Sequence, residues 1–322
     1  MTGDAARPAS DRPVAVVLGG TGCVGGGACA ALAGQGYDVH VVARRPVDDP
    51  PGHRFTQIDV ATAGRAALVR TLADAAVVVN ATGGWLPTEV DDERQHVHLV
   101  AELVEAVAAL PGRPRLVQVG SIHEYGPVPA GGAVDESVDP RPTTSYARTK
   151  LAGSRLVLDA TRAGRIDGVV LRAVNVYGPH VTPASFLGTV VDRLRTAATE
   201  GGRVELAVAD VQRDFVDVRD LADAIARGAT AAPATGRVVN IGRGEALPLR
   251  DLVRLVASTA GLPLELAPGT SVGSRGAGWT RADIGLARAL LGWSPLFGPQ
   301  ESVRDMWRAA AGPEDTDTDP GH

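Results

Sequence analysis

The chemistry of this sequence is centred on a single lysine. The stretch SYARTK, residues 145–150, holds the only lysine of the chain, although lysine and arginine together number 32. Lysine carries a compact charge that reaches along a narrow channel and shifts its pKa when partly buried, whereas arginine is a broad fork that stays charged. Lys150 therefore indicates a specific chemical role. The alternative is an exposed lysine kept by chance.

Two other residues form a candidate catalytic set with Lys150. Tyr146 lies four positions earlier, which puts both side chains on one face of a predicted helix. Ser121 ends a predicted strand, at the carboxyl edge of the predicted sheet. The alternative for Tyr146 is a plain residue of the helix surface.

A glycine-rich loop follows the first predicted strand. VAVVLGG continues into GGTGCVGG, which spaces Gly19, Gly22 and Gly25 three residues apart. Glycine lets the backbone turn tightly and approach a pyrophosphate, and the following helix N-terminus supplies free N–H groups. The pattern predicts a dinucleotide-binding site. The alternative is a tight turn that binds nothing. The predicted contacts of the dinucleotide site are Gly19, Thr21, Gly22, Cys23, Val24 and Gly25.

The end of the second strand predicts which dinucleotide binds. An acidic residue there would accept hydrogen bonds from the ribose 2′-hydroxyl of NAD. Here Ala43 stands in that place, and Arg44 and Arg45 follow it, so we expect NADP, with Arg44 ahead of Arg45 at the 2′-phosphate. The alternative is that both arginines decorate a solvated loop. Four more residues complete the predicted cofactor contacts: Asp59 and Val60 at the adenine, and Ala81 and Thr82.

The elements that position these residues alternate along the chain. Short apolar runs and amphipathic stretches follow each other as parallel strands joined by helices would, and runs with little alternation are buried on both faces. This predicts an α/β fold with a doubly wound parallel Rossmann sheet. The main predicted strands are 14–20, 38–45, 77–83, 115–121 and 168–175, and the main predicted helices are 23–36, 90–110, 144–164 and 217–231.

The ends of the chain are predicted from composition. Both ends lack periodicity and are rich in Pro, Gly, Asp and Ala, so we expect residues 1–12 and 311–322 to be disordered. The glycine-rich stretch 269–278 is expected to be mobile until ligand binds.

Composition excludes several classes of function. The net charge of -5 provides no broad basic field for nucleic acid. The two cysteines, Cys23 and Cys29, are too few and too close for a disulfide framework or a zinc site, which fits a reducing cytoplasm. No apolar run approaches the roughly 18 residues of a membrane span, and the N-terminus lacks a signal-peptide core. We therefore expect a cytoplasmic protein without a metal, a membrane segment or a nucleic-acid partner.

Taken together, the motifs resemble the extended short-chain dehydrogenase/reductases, the NAD(P)-dependent epimerase/dehydratase family. In type they are closest to its nucleotide-sugar 4-ketoreductases. Besides the serine, tyrosine and lysine, three further stretches match the family: NVYGP at 175–179, RDFVDV at 213–218 and LGWSP at 291–295. The order and spacing agree from residue 14 to residue 307.

The resemblance implies a mechanism. Lys150 would hold the nicotinamide ribose and, as a nearby cation, lower the pKa of Tyr146 from about 10. Tyr146 would then act as acid and base, and Ser121 would polarise the substrate carbonyl while hydride passes to or from the sugar carbon. Lys150 is expected on an exposed helix face, where arginine would leave the fold intact.

The sequence departs from the family at several positions. Ile122 and His123 occupy the places of the acidic pair of sugar 4,6-dehydratases, so dehydration is disfavoured. Glu124 comes one residue late and would point to the other side. His123 is either an additional acid or substrate hydrogen-bonder, or a packing residue. His96 stands where the family usually has asparagine, and the sequence does not say what that changes.

The resemblance also implies a nucleotide-diphosphate sugar as substrate and a smaller C-terminal α/β substrate-binding domain. It divides the chain into 13–175 with 214–244 for the NADP-binding Rossmann domain and 176–213 with 245–310 for the substrate-binding domain. Asn175 and Arg213 match family positions at the diphosphate; the alternative for Arg213 is a salt bridge to Asp214 or Asp217. Trp85 either flanks the sugar or belongs to the core or to a dimer surface. The predicted substrate contacts are Gly84, Trp85, Ser121, His123, Asn175 and Arg213.

The favoured function is NADPH-dependent reduction of the keto group of a nucleotide-activated 4-keto-6-deoxy sugar, as in deoxysugar biosynthesis for a natural product. A reductase needs an exchangeable cofactor, whereas an epimerase recycles tightly held NAD, and the paired arginines favour the former. The alternatives are a nucleotide-sugar epimerase with tightly bound NAD(P), and a non-catalytic dinucleotide-sensing regulator. A homodimer is expected through helices 90–110 and 144–164 of each subunit.

Overall fold

The computed structural model describes residues 12–45, 53–200, 203–267 and 278–311. The ends that we expect to be disordered, and the glycine-rich stretch 269–278, lie outside these ranges apart from Arg12, Gly278 and Ala311 at their borders. Among the described residues, no helix is long and apolar enough to span a membrane.

The described residues form strands, helices and a few tighter or wider turns. The strands are β1 (Val14–Leu18), β2 (Asp38–Ala43), β3 (Arg54–Gln57), β4 (Ala75–Asn80), β5 (Arg115–Ser121), β6 (Asp167–Ala173), β7 (Asn175–Tyr177), β8 (Val204–Ala207), β9 (Gln212–Arg213), β10 (Phe215–Asp217), β11 (Val238–Ile241), β12 (Leu247–Pro248) and β13 (Leu264–Ala267). The α-helices are α1 (Cys23–Gly34), α2 (Arg65–Thr71), α3 (Glu89–Glu93), α4 (Leu99–Ala108), α5 (Ser145–Arg162), α6 (Phe186–Glu200), α7 (Val218–Gly228), α8 (Leu249–Thr259), α9 (Gly285–Leu291) and α10 (Pro299–Ala311). A π-turn spans Arg94–His98, and 3-10 turns span Ile122–Tyr125 and Ala232–Ala234.

The central sheet confirms the predicted doubly wound arrangement. Seven parallel strands lie in the order β11, β6, β5, β4, β1, β2 and β3. Strand β1 pairs with β2 on one side and with β4 on the other, so that Leu18 lies opposite both Val42 and Asn80. The chain reverses its direction of winding at this point, and ligands of such sheets bind outside the carboxyl ends of the strands there.

Both faces of the sheet are buried, as the near-continuous apolar runs predict. Along β1, Ala15 and Val17 belong to one hydrophobic cluster, whereas Val16 and Leu18 belong to the other. Helices α1, α7 and α9 cover the first face, and α2, α4 and α5 cover the second. Because each fully buried Leu or Val side chain contributes about 1.5 to 3 kcal/mol, the two layers hold the loops at the strand ends firmly.

A third hydrophobic cluster is built by the C-terminal half of the chain. Helices α6, α8 and α10 pack around Tyr177, Leu194, Val253 and Met306 and against the small parallel pair of β8 and β13. Strand β7 pairs with β10 instead of extending β6, so the predicted strand 168–175 divides in two after Ala173. The domain boundaries given above stay predictions.

The predicted single helix 90–110 was wrong in one respect. The structure has α3, the π-turn and α4 in succession, and the N–H of Leu99 donates to the carbonyl of Arg94, five residues back. A π-turn adds one residue to a helical turn, which the spacing of apolar residues is too coarse to reveal.

Candidate active site

A cavity of about 960 Å³ lies at the carboxyl ends of the central strands. Every predicted site residue except Gly25 lines it. Those residues are Gly19, Thr21, Gly22, Cys23, Val24, Arg44, Arg45, Asp59, Val60, Ala81, Thr82, Gly84, Trp85, Ser121, His123, Tyr146, Lys150, Asn175 and Arg213.

The glycine loop forms one wall of the cavity. Gly19 has a φ of +79°, and the N–H of Gly22 donates to its carbonyl over 2.9 Å, which closes a tight turn directly before α1. No side chain caps the N-terminus of α1. A phosphate that enters this wall would therefore meet free backbone N–H groups and the positive end of the helix dipole.

Gly25 does not contact the cavity, contrary to its predicted role as a cofactor contact. A Cβ at this position would lie 2.1 Å from the carbonyl oxygen of Gly19. Gly25 is needed because α1 packs directly against the loop, and it acts on the site through that packing.

The ends of β2 and β3 form the outer wall. Arg44 and Arg45 are exposed at the cavity mouth, and the carbonyl of Arg44 accepts a 3.2 Å hydrogen bond from the Gln57 amide. The Asp59 carboxylate accepts from the N–H of Ala61 over 3.1 Å and so fixes the next turn. The wall offers two exposed cations beside a fixed turn.

The catalytic candidates meet at the inner end of the cavity. Ser121 ends β5, and Tyr146 and Lys150 lie in the first turns of α5, whose N-terminus is capped by Thr144. The Ser121 hydroxyl lies beside the Tyr146 hydroxyl and favours its ionised form. The Lys150 ammonium donates to the carbonyl of Val119 over 2.7 Å. The structure thus brings together all three residues that the sequence singled out.

Lys150 is only 5% exposed, so the expected exposed helix face was wrong. It lies between α5 and the sheet, within reach of the Glu124 carboxylate's field. Burial lowers the pKa of Lys150 to about 8, and the charge of Glu124 opposes part of that shift.

The expected lowering of the Tyr146 pKa is not found. Burial of the phenol raises its pKa to about 12, and the Ser121 hydroxyl opposes the shift. The carboxylates of Glu124 and Asp92 raise it further. Removing the phenolate from water costs more free energy than the Ser121 hydroxyl returns, so Tyr146 is neutral in this structure.

Aromatic rings surround Tyr146. The Trp85 ring stacks on it with centroids 4.1 Å apart and planes 19° apart, and His123 and His96 meet it edge-on at 6.2 and 5.4 Å. Trp85 is 37% exposed and lines the cavity. It is therefore a wall of the cavity and not a core residue.

His123 faces the cavity as a neutral ring. Burial lowers its pKa to about 4, the charge of Arg213 lowers it further, and a hydrogen bond with the Asn175 side chain opposes both. The Asn175 amide also donates to the carbonyl of Asp214 over 3.0 Å. The two predicted salt-bridge partners of Arg213 have other roles: Asp214 accepts backbone N–H groups from two loops, and Asp217 pairs with Arg219.

Glu124 points away from the cavity, into the sheet. It is fully buried, pairs with the Arg172 guanidinium at 2.7 Å, and accepts from the N–H of Ser121 and the hydroxyl of Ser154. It fixes the end of β5 in place. Among the described residues that line the cavity, Asp59 is the only carboxylate, and it lies at the far end from Tyr146.

Sequence reasoning missed an apolar part of the cavity lining. Its side chains come from α6, its preceding loop and α8, and no motif or spacing connects them. They include Val181, Phe186, Leu187 and Leu249. His96, whose substitution the sequence left unexplained, lies behind Tyr146.

Comparison with known proteins agrees with this geometry. The family model described as "NAD dependent epimerase/dehydratase family" matches residues 15–242. The chain is 37% identical over 300 residues to a dTDP-6-deoxy-L-talose 4-dehydrogenase (NAD(P)(+)) of Kitasatospora kifunensis, covering 91% of this chain and 94% of that relative. A GDP-6-deoxy-D-mannose reductase of Pseudomonas aeruginosa is 29% identical, over 51% of this chain and 55% of its own.

A solved structure has the same fold along nearly its whole length. MoeE5 in complex with UDP-glucuronic acid and NAD superposes with a TM-score of 0.78 at 29% identity, over 92% of this chain and 98% of MoeE5.

Proposed function

This chain belongs to the NAD dependent epimerase/dehydratase family, as a nucleotide-sugar-modifying enzyme, and on that premise we propose that it reduces a 4-keto-6-deoxy sugar nucleotide with NADPH. The reverse reaction, oxidation of the 4-hydroxyl, uses the same site.

One observation carries the proposal. At the inner end of the cavity a buried, neutral tyrosine hydroxyl lies beside a serine hydroxyl, and the described lining places no carboxylate next to them. A ketone reduction needs one proton donor at the carbonyl oxygen, and Tyr146 provides it. Elimination of water needs a separate base and acid near the sugar, which this lining lacks.

The residues present fit a dinucleotide phosphate. Free N–H groups of loop 19–25 suit a pyrophosphate, and Arg44 and Arg45 suit a 2′-phosphate. Bound NADPH supplies the hydride. Lys150 would hold the ribose hydroxyls, Ser121 would hydrogen-bond the carbonyl oxygen, and Tyr146 would donate the proton as the alcohol forms.

The other half of the cavity fits a deoxy sugar nucleotide. Arg213, which is 4% exposed, and Asn175 stand where a diphosphate would pair with a guanidinium. Trp85 and Phe186 supply apolar surface that suits a methyl group at the position where other hexoses carry a hydroxyl. The name of the 4-dehydrogenase relative gives a 6-deoxy sugar nucleotide as its substrate.

The test is a panel of TDP-, GDP- and UDP-linked 4-keto-6-deoxy sugars with NADPH, followed at the nicotinamide absorbance, with Tyr146→Phe as the control. We expect stoichiometric oxidation of NADPH with one sugar and loss of that rate in the variant. Conversion of a 4-hydroxy sugar to its epimer without added cofactor would instead identify an epimerase. Binding of NADPH without turnover of any sugar in the panel would instead support a non-catalytic dinucleotide-sensing regulator.

A further inference from the structure

His96 lies at the centre of the π-turn and against the helix that carries the catalytic candidates. Its ring meets Tyr146 edge-on, and its Nδ1 lies 2.9 Å from the hydroxyl of Thr149, on the next turn of α5. The side chain is 2% exposed. The ring therefore has a fixed place beside Tyr146.

The opposite edge of the ring lies against the loop that follows β4. A Cβ at Gly83 would lie 2.4 Å from Cδ2 of His96 and 2.5 Å from Nε2, and Gly83 has a φ of +85°. Nε2 faces the backbone of Gly83 and Gly84 without a well-aligned hydrogen bond. Only glycine at position 83 allows this contact, and two residues later the same loop presents Trp85.

The backbone of the π-turn is equally close to α5. A Cβ at Gly153 would lie 2.3 Å from the carbonyl oxygen of His96. Both neighbours of His96, the loop and the helix, thus use glycine at the point of contact. A side chain at Gly83 would push the loop off the ring of His96, and one at Gly153 would push the backbone of the π-turn off α5. The ring of His96 therefore fills the space between the loop and the helix.

On the premise of the proposed function, we propose that His96 is a positioning residue, whose ring sets the distance between loop 83–85 and α5. By this it holds Trp85 parallel to Tyr146 and fixes the tyrosine hydroxyl for proton transfer.

The ring acts through shape and not through charge. The groups that face it are Asp92, whose Oδ1 lies 3.9 Å from Nδ1, the Thr149 hydroxyl, Tyr146 and the Lys150 cation. Burial, followed by the charge of Lys150, lowers the pKa of His96 to about 3. With a pKa this low the ring is neutral near pH 7.

The test uses His96→Asn, which keeps a donor or acceptor at the place of Nδ1 but removes the ring edge that touches Gly83. Thr149→Val is the matched variant, because it removes the hydrogen bond and keeps the ring. We expect His96→Asn to lower kcat by about ten- to a hundredfold with the KM for NADPH and the pH profile unchanged, and Thr149→Val to have the smaller effect.

A second readout needs no substrate. The protein is labelled with 5-fluorotryptophan, and the Trp85 resonance is assigned by its loss in Trp85→Phe. In His96→Asn we expect this resonance to move toward that of solvent-exposed tryptophan, while the resonance of the buried Trp293 stays in place as evidence of the fold.

The two readouts separate the inference from its premise. A wild-type enzyme that reduces no 4-keto sugar would overturn the proposed function, and the fluorine resonance would still decide whether His96 sets the loop. An unmoved Trp85 resonance, or a kcat within twofold of wild type, would overturn the role of His96. Should His96→Asn fail to fold, His96→Gln, whose amide reaches the place of Nε2, is measured in the same way.

Discussion

At the scale of single residues, Lys150 meets two opposing demands. In its proposed role the ammonium holds a ribose as a cation, yet it lies in a nearly closed space where burial disfavours the charge. The Val119 carbonyl and the field of Glu124 compensate in part. A residue that the fold tolerates at a cost, and that lines the cavity, is best explained by function.

We expect that arginine, the basic residue at every other such position of the chain, cannot replace Lys150 without loss of function. Lys150→Arg places a wider guanidinium in a site that is 5% exposed, so we expect a loss of about 1 to 3 kcal/mol in unfolding free energy. We also expect a fall in kcat of about a hundredfold or more. Lys150→Met, of similar length, is the control for volume: it should keep its melting temperature and still lose turnover. A Lys150→Arg enzyme with normal turnover would contradict a specific role for lysine.

Cofactor choice is a second prediction at this scale. Replacing Arg44 and Arg45 together by serine removes the two exposed cations at the cavity mouth. We expect the Kd for NADPH to rise about tenfold or more, since charge-assisted bonds to phosphate are worth about 1.5 to 3 kcal/mol. The Kd for NADH should hardly change, and Arg70→Ser, on the exposed face of α2, should change neither. Equal weakening of both cofactors in calorimetry would reject NADP selectivity.

At the scale of elements, neighbouring glycines of α1 provide a matched pair. In Gly25→Ala the new Cβ would meet the Gly19 carbonyl oxygen at 2.1 Å, whereas in Gly26→Ala the nearest atom lies 3.7 Å away. We expect Gly25→Ala to push α1 off the loop, with a loss of more than about 2 kcal/mol and of cofactor affinity. Gly26→Ala should gain about 0.5 to 1 kcal/mol, because alanine favours helix. Thermal melts with and without NADPH measure both, and equal behaviour of the two would be inconsistent with the packing described.

Elements were predictable where one physical rule decides them. The strands of the sheet are apolar on both faces, and α1 begins where glycine and free N–H groups are needed, so VAVVL and the loop 19–25 could be recognised. The π-turn at Arg94–His98 could not be, because it depends on contacts of His96 with Gly83 and Gly153, which are distant in sequence. The Tyr146 pKa was misjudged for the same reason: spacing gives the lysine beside it but not its burial.

At the scale of the molecule, self-association through α4 and α5 stays a prediction, and the structure shows which surface it would use. A groove of about 330 Å³ lies along these helices, lined by Ala101 and Leu156 among charged residues. We expect a dimer by light scattering at micromolar concentration, and a monomer for Leu156→Arg. Leu296→Arg, at a leucine that is 80% exposed elsewhere, is the control and should stay dimeric. A monomeric wild type would reject the four-helix interface.

Acid sensitivity is a further property of the whole molecule. Burial lowers the pKa of His40 and of His123 to about 4, and that of His96 to about 3. Below pH 6.5 the unfolded chain binds protons that the fold excludes, so the unfolding free energy falls as the pH drops from about 6.5 toward 4. His40→Val should reduce the loss between pH 7 and 4.5 by about 1 to 2 kcal/mol. Identical pH dependence of urea unfolding in the variant would show that His40 is not a source of the effect.

The π-turn also makes this helix sensitive to the number of its residues. Because the turn joins a donor and an acceptor that are five positions apart instead of four, deletion of one codon within 94–98 would restore a regular α-helix without breaking it. The residues before the deletion would then rotate by about 100° relative to α5, which is the angle that one residue occupies in a helix. An in-frame deletion in this stretch would therefore keep the helix but displace the ring at position 96. Most substitutions on the exposed face of the helix would change neither the helix nor the position of the ring.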